Sequence, residues 1–342
     1  MGELDQIKGE KNMKSRIIIL AIVAACAVSC YDSYVGDYST VACGFANQTD
    51  VRSVIVGEGM KFSTGVALGG TISNDKDRHI SIGTDFSLVT DDTWTLMRNH
   101  TFSYIANLMK NVPSISALPA SLYELETEGG NTGDVLIRKG SHLGTIVVKI
   151  DSAAFLADAG RVYPKNVIPL VIVDGNGTDV IEGKESTVIG VRYENMLFGT
   201  WYHGGYSEEY DAGGNLLDAK VYKTTIPQAD NLVWTLTTVE PFALTVNAVG
   251  SEFNGSSAQM KLTLGADDSI TVSSVAGAKY AVQPDGESRF LRSKLLQDRK
   301  IVLNYQYVNG ANTVHAHDTL TFRNRLRDGV NEWQDENSAH YE

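Results

Sequence analysis

The segment KIVLNYQYVNGANTVHAHDTLTF, residues 300–322, decides the fold of the C-terminal half of this chain. Alternate positions are mostly apolar over 301–307 and again over 314–322, on either side of an Asn-Gly dipeptide at 309–310. Alternation with a period of two is typical of a strand with one buried face. Asn-Gly between two such runs is a strong signal for a tight hairpin turn. The segment therefore predicts two long antiparallel strands.

The residues from 187 to 300 repeat this pattern without a helical interruption. Period-two runs follow one another as NLVWTLTTV, FALTVNAV, AQMKLTL and SITVSS. Trp234 alternates with Leu232 and Leu236, which predicts that its ring lies in the core. Successive hairpins without helices favour an antiparallel β-barrel or sandwich over 187–342. Closure into a barrel would also remove exposed strand edges.

The N-terminal half has a mixed pattern. Short alternating runs punctuated by glycine predict strands over 51–90 and 122–173. Between them, DDTWTLMRNHTFSYIANLMKNV carries apolar residues near helical spacing. This spacing predicts one helix, capped by Asp91 or Asp92.

The turn-rich segment VDGNGTDVIEGKES, residues 173–186, follows the apolar strand VIPLVIV and marks the predicted domain boundary. We therefore predict a mostly β protein with a β-sandwich and one or two short helices at 41–178. The antiparallel β-barrel or sandwich follows at 187–342.

Composition and charge narrow the possible partners. The chain has 342 residues, a formal net charge of −12, 32 glycines and 7 prolines. An acidic chain is poorly suited to nucleic acid, whose phosphates need basic residues. Three cysteines indicate no disulfide framework. Cys43, within VACGF, is expected to be a small buried side chain.

The N-terminus has the pattern of a secretory signal. Lys14 and Arg16 precede a short apolar run over 17–28, which ends among small residues. The run is shorter than the about 20 residues that span a membrane. We predict that translation starts at Met13 and that a signal peptide covers 1–29.

Two cysteines near the end of this signal are candidates for lipidation. Cys26 follows VAA and Cys30 follows AVS, and the stretch resembles a bacterial lipoprotein signal, in which VAAC fits the strict lipobox better. Cys30 leaves a fuller apolar core before the cleavage point, so we predict lipidation there and a polar tether over 30–40. A cysteine carrying several acyl chains would be a durable membrane anchor.

Several strings together resemble a known family. They include VRSVIVGEGMKFSTGVALGGTISNDKDRHISI, LPASLYELE, VLIRKGSHLGTIVVKI and LNYQYVNGANTVHAHDTLTFRNRLRDGVNEW. The chain resembles two-domain surface lipoproteins of gut Bacteroidota, catalogued as domains of unknown function and associated with starch-utilisation-type glycan capture systems. The resemblance implies an immunoglobulin-like N-terminal sandwich, a C-terminal β-domain, display on the outer membrane and glycan binding. It implies no catalytic residues. Only Asp32 and Asp37 follow the lipid cysteine closely, fewer acids than the family's surface-export pattern has.

The segment FGTWYHGGYSEEYDAGGN, residues 198–215, is the candidate glycan site. Aromatic faces bury the apolar side of a sugar ring, and neighbouring polar groups bind its hydroxyls. The candidate residues are Trp201, Tyr202, His203, Tyr206 and Tyr210. The alternative is a first barrel strand whose Trp201 fills the core. Trp333, among polar residues, is either a surface aromatic or a lid against the barrel.

Metal and catalytic sites have weaker signals. His315 and His317 share one face of a strand but lack an identifiable third ligand. A calcium-loop template fits 174–185 in part, without flanking helices, and a linker turn is the alternative. The carboxylates that could serve a glycosidase are Glu208 with Asp211 or Asp267 with Asp268, all in turn-rich stretches. No nucleophile motif or phosphate loop occurs.

The sequence therefore predicts a lipid-anchored, non-enzymatic surface protein of the outer membrane that needs no metal or cofactor. Its expected ligand is a polysaccharide or oligosaccharide, and its expected partner is a glycan importer complex. The alternative from another class is a structural or adhesive surface protein that binds other proteins.

Overall fold

A computed structural model describes residues 40–129, 133–222, 230–251 and 253–334. The predicted signal peptide, Cys26, Cys30 and most of the tether lie outside these ranges. The chain is mostly β, as predicted, and forms a sandwich followed by a barrel.

The sandwich consists of two facing sheets over the part of the chain that is described. Its strands are β1 (Ala42–Phe45), β2 (Thr49–Val56), β3 (Lys61–Gly69), β4 (Arg78–Thr84), β5 (Ser116–Ala117), β6 (Tyr123–Thr127), β7 (Asp134–Ile137), β8 (Leu143–Ile150), β9 (Asn166–Asp174), β10 (Asp179–Val180) and β11 (Ser186–Asn195). One sheet has the order β10-β1-β3-β8-β6, and the other has β2-β11-β9-β4-β7 with β5 beside β9. Side chains from both sheets, including the buried Cys43, form the core between them.

Helices cover the outer face of the second sheet. They are α1 (Asp91–Arg98) and α2 (Ser103–Met109), and a third helix, α3 (Ser152–Leu156), follows β8. Met97, Ile105 and Met109 pack with Val167 of β9 and Val188 of β11. The central strands are therefore buried on both faces, which explains the unbroken apolar run in β9. Within the described ranges, no helix has both the length and the apolar character needed to cross a membrane.

The prediction of one helix over this region was wrong in two details. The helix breaks after Arg98, where Asn99 leaves the helical conformation and His100 Nδ1 accepts a hydrogen bond of 2.9 Å from the Phe102 N–H. The N-cap is Thr90, whose hydroxyl accepts from the Thr93 N–H, and the two aspartates fall in the first turn instead.

The predicted domain boundary lies inside the sandwich. Segment 173–186 connects β9 to β11 and contains β10, which pairs in parallel with β1. Strand β11 pairs with β2 and β9, although the sequence analysis assigned residues from 187 to the C-terminal domain. The strands change partners only after Asn195. A turn-rich connection between two strands of one sheet has the same composition as a linker.

The C-terminal domain is a closed antiparallel barrel. Its strands are β12 (Gly199–Tyr210), β13 (Leu216–Tyr222), β14 (Val233–Glu240), β15 (Ala243–Val246), β16 (Ala248–Val249), β17 (Phe253–Asn254), β18 (Met260–Leu264), β19 (Ser269–Ser274), β20 (Val282–Pro284), β21 (Ser288–Leu291), β22 (Lys300–Asn309), β23 (Asn312–Arg327) and β24 (Val330–Glu332). The pairing runs β12-β14-β15-β18-β19-β21-β22-β23, and β23 pairs back onto β12. Strand β13 extends β12 as a hairpin, and β24 extends β23.

The hairpin of β22 and β23 confirms the period-two reading. The alternate apolar side chains over 301–307 and 314–322 are buried inside the barrel. The turn itself lies one residue later than predicted, because Asn309 pairs with Asn312. Gly310 therefore takes the first turn position, with φ of 66°. A positive φ at this position is natural for glycine and fits the right-handed twist of a hairpin.

A buried ion cluster joins the sandwich to the barrel. Glu58, in the turn between β2 and β3, accepts hydrogen bonds from Arg299 Nη1 at 2.6 Å and from Arg325 Nη2 at 2.8 Å. All three side chains are almost fully buried. Beside them, Asp328 of the barrel accepts from the Ser53 backbone N–H at 3.0 Å and from its hydroxyl at 2.8 Å.

The charge state of Glu58 reflects this environment. Burial alone would raise its pKa, but the guanidinium groups of Arg325 and Arg299 outweigh burial and hold the pKa below its ordinary value of 4.5. Removing one partner from a buried ion pair leaves the other charge uncompensated, at a cost of about 3–5 kcal/mol.

The Glu58→Gln variant is expected to lose about 3 kcal/mol of unfolding free energy at neutral pH. Because the pKa of folded Glu58 lies below its unfolded value, its contribution is present above pH 4.5 and is lost as the pH falls through the folded pKa. The variant should therefore lose less stability than the wild type on acidification. Chemical denaturation at several pH values measures both effects.

Glu126→Gln is the matched control, because Glu126 pairs with Lys149 at 2.5 Å on the surface. Exposed pairs contribute about 0–1 kcal/mol. Equal losses in the two variants would contradict the role given to the buried cluster.

Candidate functional site

The candidate residues lie on β12, and the strand divides them between its two faces. Successive side chains of a strand point to opposite sides. Trp201 and His203 point into the barrel and are buried, whereas Tyr202, Tyr206 and Tyr210 lie on the outer side. The five residues therefore do not form one aromatic platform.

Trp201 fills the core and cannot contact a sugar. Its side chain is fully buried, and its indole N–H donates to the Leu197 carbonyl at 3.0 Å. The ring packs edge-on against Phe322 of β23, with centroids 5.3 Å apart. The structure therefore has the alternative arrangement, in which β12 is the first barrel strand and its tryptophan lies in the core. Trp234 is also buried, as predicted, and Trp333 is exposed on the surface.

His203 belongs to a buried polar chain inside the barrel. Its Nε2 lies 2.8 Å from Asp318 Oδ1, and the Tyr305 hydroxyl donates to Asp318 Oδ2 at 2.5 Å. The Gly250 N–H in turn donates to the Tyr305 oxygen at 2.7 Å. The His203 ring stacks on Trp234 at 4.1 Å.

This chain sets the protonation of Tyr305. Burial and the neighbouring Asp318 carboxylate raise the pKa of Tyr305 well above its ordinary value. Asp318 and Tyr305 were not predicted as partners in the polar chain of His203. A signal was present, because Asp318 occupies an inward position on a strand face that is otherwise apolar.

The outer face of the barrel carries the remaining aromatic candidates. We call it the tyrosine face and define it by Tyr206, Glu208 and Tyr210 of β12, Asp285 just after β20, Asn304 of β22, and His315 and His317 of β23. Tyr206 pairs across the strands with His317 and stacks on its ring at 4.6 Å, at 24° between planes. The Tyr206 side chain is 45% exposed. Tyr210 meets the His315 ring edge-on at 5.4 Å.

Hydrogen bonds hold these rings in place. His317 Nδ1 lies 2.8 Å from Asn304 Oδ1, and His315 Nδ1 lies 2.6 Å from the Asp285 carboxylate. The Tyr210 hydroxyl donates to Glu208 at 3.0 Å, and this bond raises the pKa of Tyr210. The tyrosine face is thus an ordered surface of rings, carboxylates and an amide.

Tyr202 lies further along the same side of β12. The Arg323 guanidinium sits 5.8 Å from the centre of its ring. Tyr202 is therefore separated from the Tyr206 ring along the strand and already contacts a cation.

The residues considered as metal ligands do not come together in the part of the chain that the structure describes. His315 and His317 share a face, as predicted, but bond to different neighbours, Asp285 and Asn304. In the calcium-loop segment 174–185, Asp174 accepts from the Asn176 N–H and so caps a turn. Across the described ranges, no group of three or more histidine, cysteine, aspartate or glutamate side chains is placed to hold a metal ion.

The carboxylates nominated for glycosidase chemistry shape turns or form ion pairs. Asp211 accepts from the backbone N–H groups of Gly213 and Asn215, and bonds to Asn215 hold its pKa below the ordinary value. Asp267 likewise accepts from Ser269, and Asp268 pairs with Arg292 at 2.6 Å. These contacts give each of them a local structural role.

A cleft of about 410 Å³ lies between the sandwich and the barrel. Its polar groups already bond to one another: Arg192 pairs with Glu194 at 2.6 Å, Glu194 accepts from Thr238, and the Thr200 hydroxyl bonds to Asn324. Ligand pockets need polar groups that converge on the ligand. We therefore assign the cleft to the junction between the two domains and not to a ligand site.

A solved structure shares this architecture. A protein of unknown function from Bacteroides ovatus aligns with a TM-score of 0.59 at 19% identity, covering 88% of this chain and 99% of that chain. This likeness shows a common fold and is consistent with the resemblance to proteins of gut Bacteroidota.

Two further structures align less well. A multidomain protein from Bacteroides ovatus that includes DUF1735 has a TM-score of 0.40 at 14% identity, covering 86% of this chain and 100% of that chain. An auxiliary nutrient binding protein from Bacteroides thetaiotaomicron has a TM-score of 0.36 at 14% identity, covering 84% and 96%. Scores this low do not establish a shared fold. No family model and no curated protein matches the chain.

The Tyr305→Phe variant tests the buried chain. It removes the donor to Asp318 and the acceptor for the Gly250 N–H, and each buried group left unsatisfied costs about 1–3 kcal/mol. We expect the free energy of unfolding to fall by about 2 kcal/mol or more in urea titrations. Tyr163→Phe is the control because Tyr163 is exposed. Unchanged stability of Tyr305→Phe would contradict this description.

Proposed function

We propose that this protein binds glycan without altering it and that the tyrosine face is the binding surface. The observation that carries the proposal is the Tyr206 ring, which is 45% exposed and backed by His317. A ring supported on one side and open on the other is ordered before binding. It therefore loses little conformational freedom when a sugar stacks on it.

The polar neighbours of Tyr206 suit a hydroxyl-rich ligand. Glu208 and Asp285 supply carboxylate oxygens, and Asn304 supplies an amide. Asn304, His317 and Tyr206 lie side by side on three adjacent strands. Strands are about 4.8 Å apart, so this row extends about 10 Å across the sheet, and a chain of sugar rings can lie along it.

The charge of the protein favours a neutral glycan. The formal net charge is −12, and Glu208 and Asp285 add acid at the face itself. A negative field lowers the local concentration of anionic ligands. Sulfated and uronate-rich chains should therefore bind more weakly than neutral ones.

The proposal also includes display on the outer membrane through a lipid on Cys30, with a glycan importer complex as the partner. Its support is the signal-like N-terminus, the small residues before Cys30 and the family resemblance. A surface anchor would hold the barrel where polysaccharide is available. We also propose that the importer complex is of the starch-utilisation type, as the family resemblance implies.

The alternative function is protein binding, and one feature favours it. Strand β13 pairs with β12 along one edge, and Leu216, Leu217 and Val221 of β13 expose their side chains, Val221 to 84%. Exposed apolar edge strands can pair with another chain. This function would be supported if the wild type self-associated or captured another protein and the Val221→Lys variant did neither.

Tyr206→Ala tests the glycan site. Loss of the stacking surface should weaken binding of a neutral polysaccharide by about tenfold or more, since tenfold corresponds to about 1.4 kcal/mol. Isothermal titration against a panel of neutral and acidic plant and host polysaccharides measures the affinity.

Tyr163→Ala is the matched control, because Tyr163 lies on the sandwich with a similar exposure of 46%. It should bind like the wild type. If no glycan in the panel binds, or if Tyr206→Ala binds as well as the control, the tyrosine face is not a glycan site.

Cys30→Ser tests the anchor. In cells, the wild type should partition into the membrane fraction, and its mature N-terminal peptide should carry acyl groups in mass spectrometry. The Cys30→Ser protein should lose both properties, while Cys26→Ser should retain them. The reverse result would assign the lipid to Cys26.

A further inference from the structure

A second cavity lies on the inner side of β12, opposite the tyrosine face. It has a volume of about 240 Å³ and is lined by His203, Tyr222, Asp230, Asn231, Leu232 and Ser251. It forms where β12 changes neighbours: β12 pairs with β14 up to Tyr202 and with β13 from Gly205 onwards. The cavity lies at this change of neighbours, beside His203, whose backbone N–H still donates to the Leu232 carbonyl at 2.8 Å.

Polar groups gather behind this cavity. Gly250, next to Ser251, donates its N–H to the Tyr305 hydroxyl at 2.7 Å. A side chain at Gly250 would come within 2.9 Å of the Tyr307 hydroxyl and 3.5 Å of the Tyr222 hydroxyl. Glycine, here with φ of 49°, therefore lets three tyrosine hydroxyls converge. An apolar barrel core would not need this arrangement.

Trp234 supplies a separate observation. Its side chain is fully buried and stacks on His203, which lines the cavity. Among the residues that the structure describes, its indole N–H has no hydrogen-bond partner. A buried donor without a partner costs about 1–3 kcal/mol, so its presence needs an explanation.

Two carboxylates lie at the cavity: Asp230, which lines it and is exposed to solvent, and Asp318, which lies behind His203. The Asp318 carboxylate behind His203 is bonded by both His203 and Tyr305. Asn231, Ser251 and Tyr222 contribute an amide and hydroxyl groups that both donate and accept hydrogen bonds. The rings of His203 and Tyr222 lie 4.9 Å apart and add flat apolar area.

We propose that this cavity binds one small, neutral, polyhydroxylated molecule, such as a single sugar unit. Pockets for drug-sized ligands have volumes of about 300–1,000 Å³, so 240 Å³ suits a smaller molecule. Aromatic faces beside hydroxyl, amide and carboxylate groups match the alternating apolar and polar surfaces of a sugar. The site is independent of the tyrosine face, because β12 separates the two.

Isothermal titration with glucose, galactose, mannose and xylose tests the proposal, with glucosamine and glucose 6-phosphate as charged counterparts of the same size. We expect at least one neutral sugar to bind saturably and more tightly than either charged counterpart. Ser251→Trp should weaken binding at least tenfold, because Ser251 is exposed at the cavity and the indole would occupy it. Tyr222→Phe should weaken binding through loss of one hydroxyl.

Tyr206→Ala is the control that separates the two sites. It should bind the monosaccharide like the wild type even if it no longer binds polysaccharide. Absence of binding by all four neutral sugars, unchanged affinity in a folded Ser251→Trp variant, or preference for a charged counterpart would overturn the proposal. None of these results would affect the tyrosine face.

Discussion

The buried carboxylate of Glu58 is the constraint on which the two-domain arrangement depends. It comes from a turn of the sandwich, yet its partners Arg299 and Arg325 belong to the barrel. A charge in this environment is tolerated only if its partners stay in place, because an unpaired buried charge is very costly. The sandwich and barrel are therefore held in one orientation. Asp328, bonded to Ser53, adds a second link beside the first.

Strand β12 has a comparable role within the barrel. It pairs with β23 along almost its whole length, and this pairing closes the sheet. Its inner side carries His203 within the polar chain that reaches Asp318, and its outer side carries Tyr206. One strand therefore supports both proposed sites. Because the pairing of β12 with β23 closes the barrel, the strand that carries both sites is held rigidly.

Much of the fold could be predicted, because local periodicity reports on burial. The alternation in β22 and β23 identified the inward side chains correctly, and Trp234 was placed in the core. The predicted domain boundary was wrong, because β11 belongs to the sandwich. A turn-rich connection has the same composition inside a sheet as between domains. The helix was predicted as continuous, since its spacing did not show the break at Asn99.

The candidate site shows the limit most clearly. By itself the sequence determined which residues of β12 share a side, because side chains alternate along any strand. Only the tertiary structure decided which side is the interior, since that depends on pairing with β23, more than 100 residues away. Closure turned Trp201 and His203 inward and left Tyr206 outside. It also brought Asp318 and Tyr305 to His203, contacts between distant segments that no local pattern encodes.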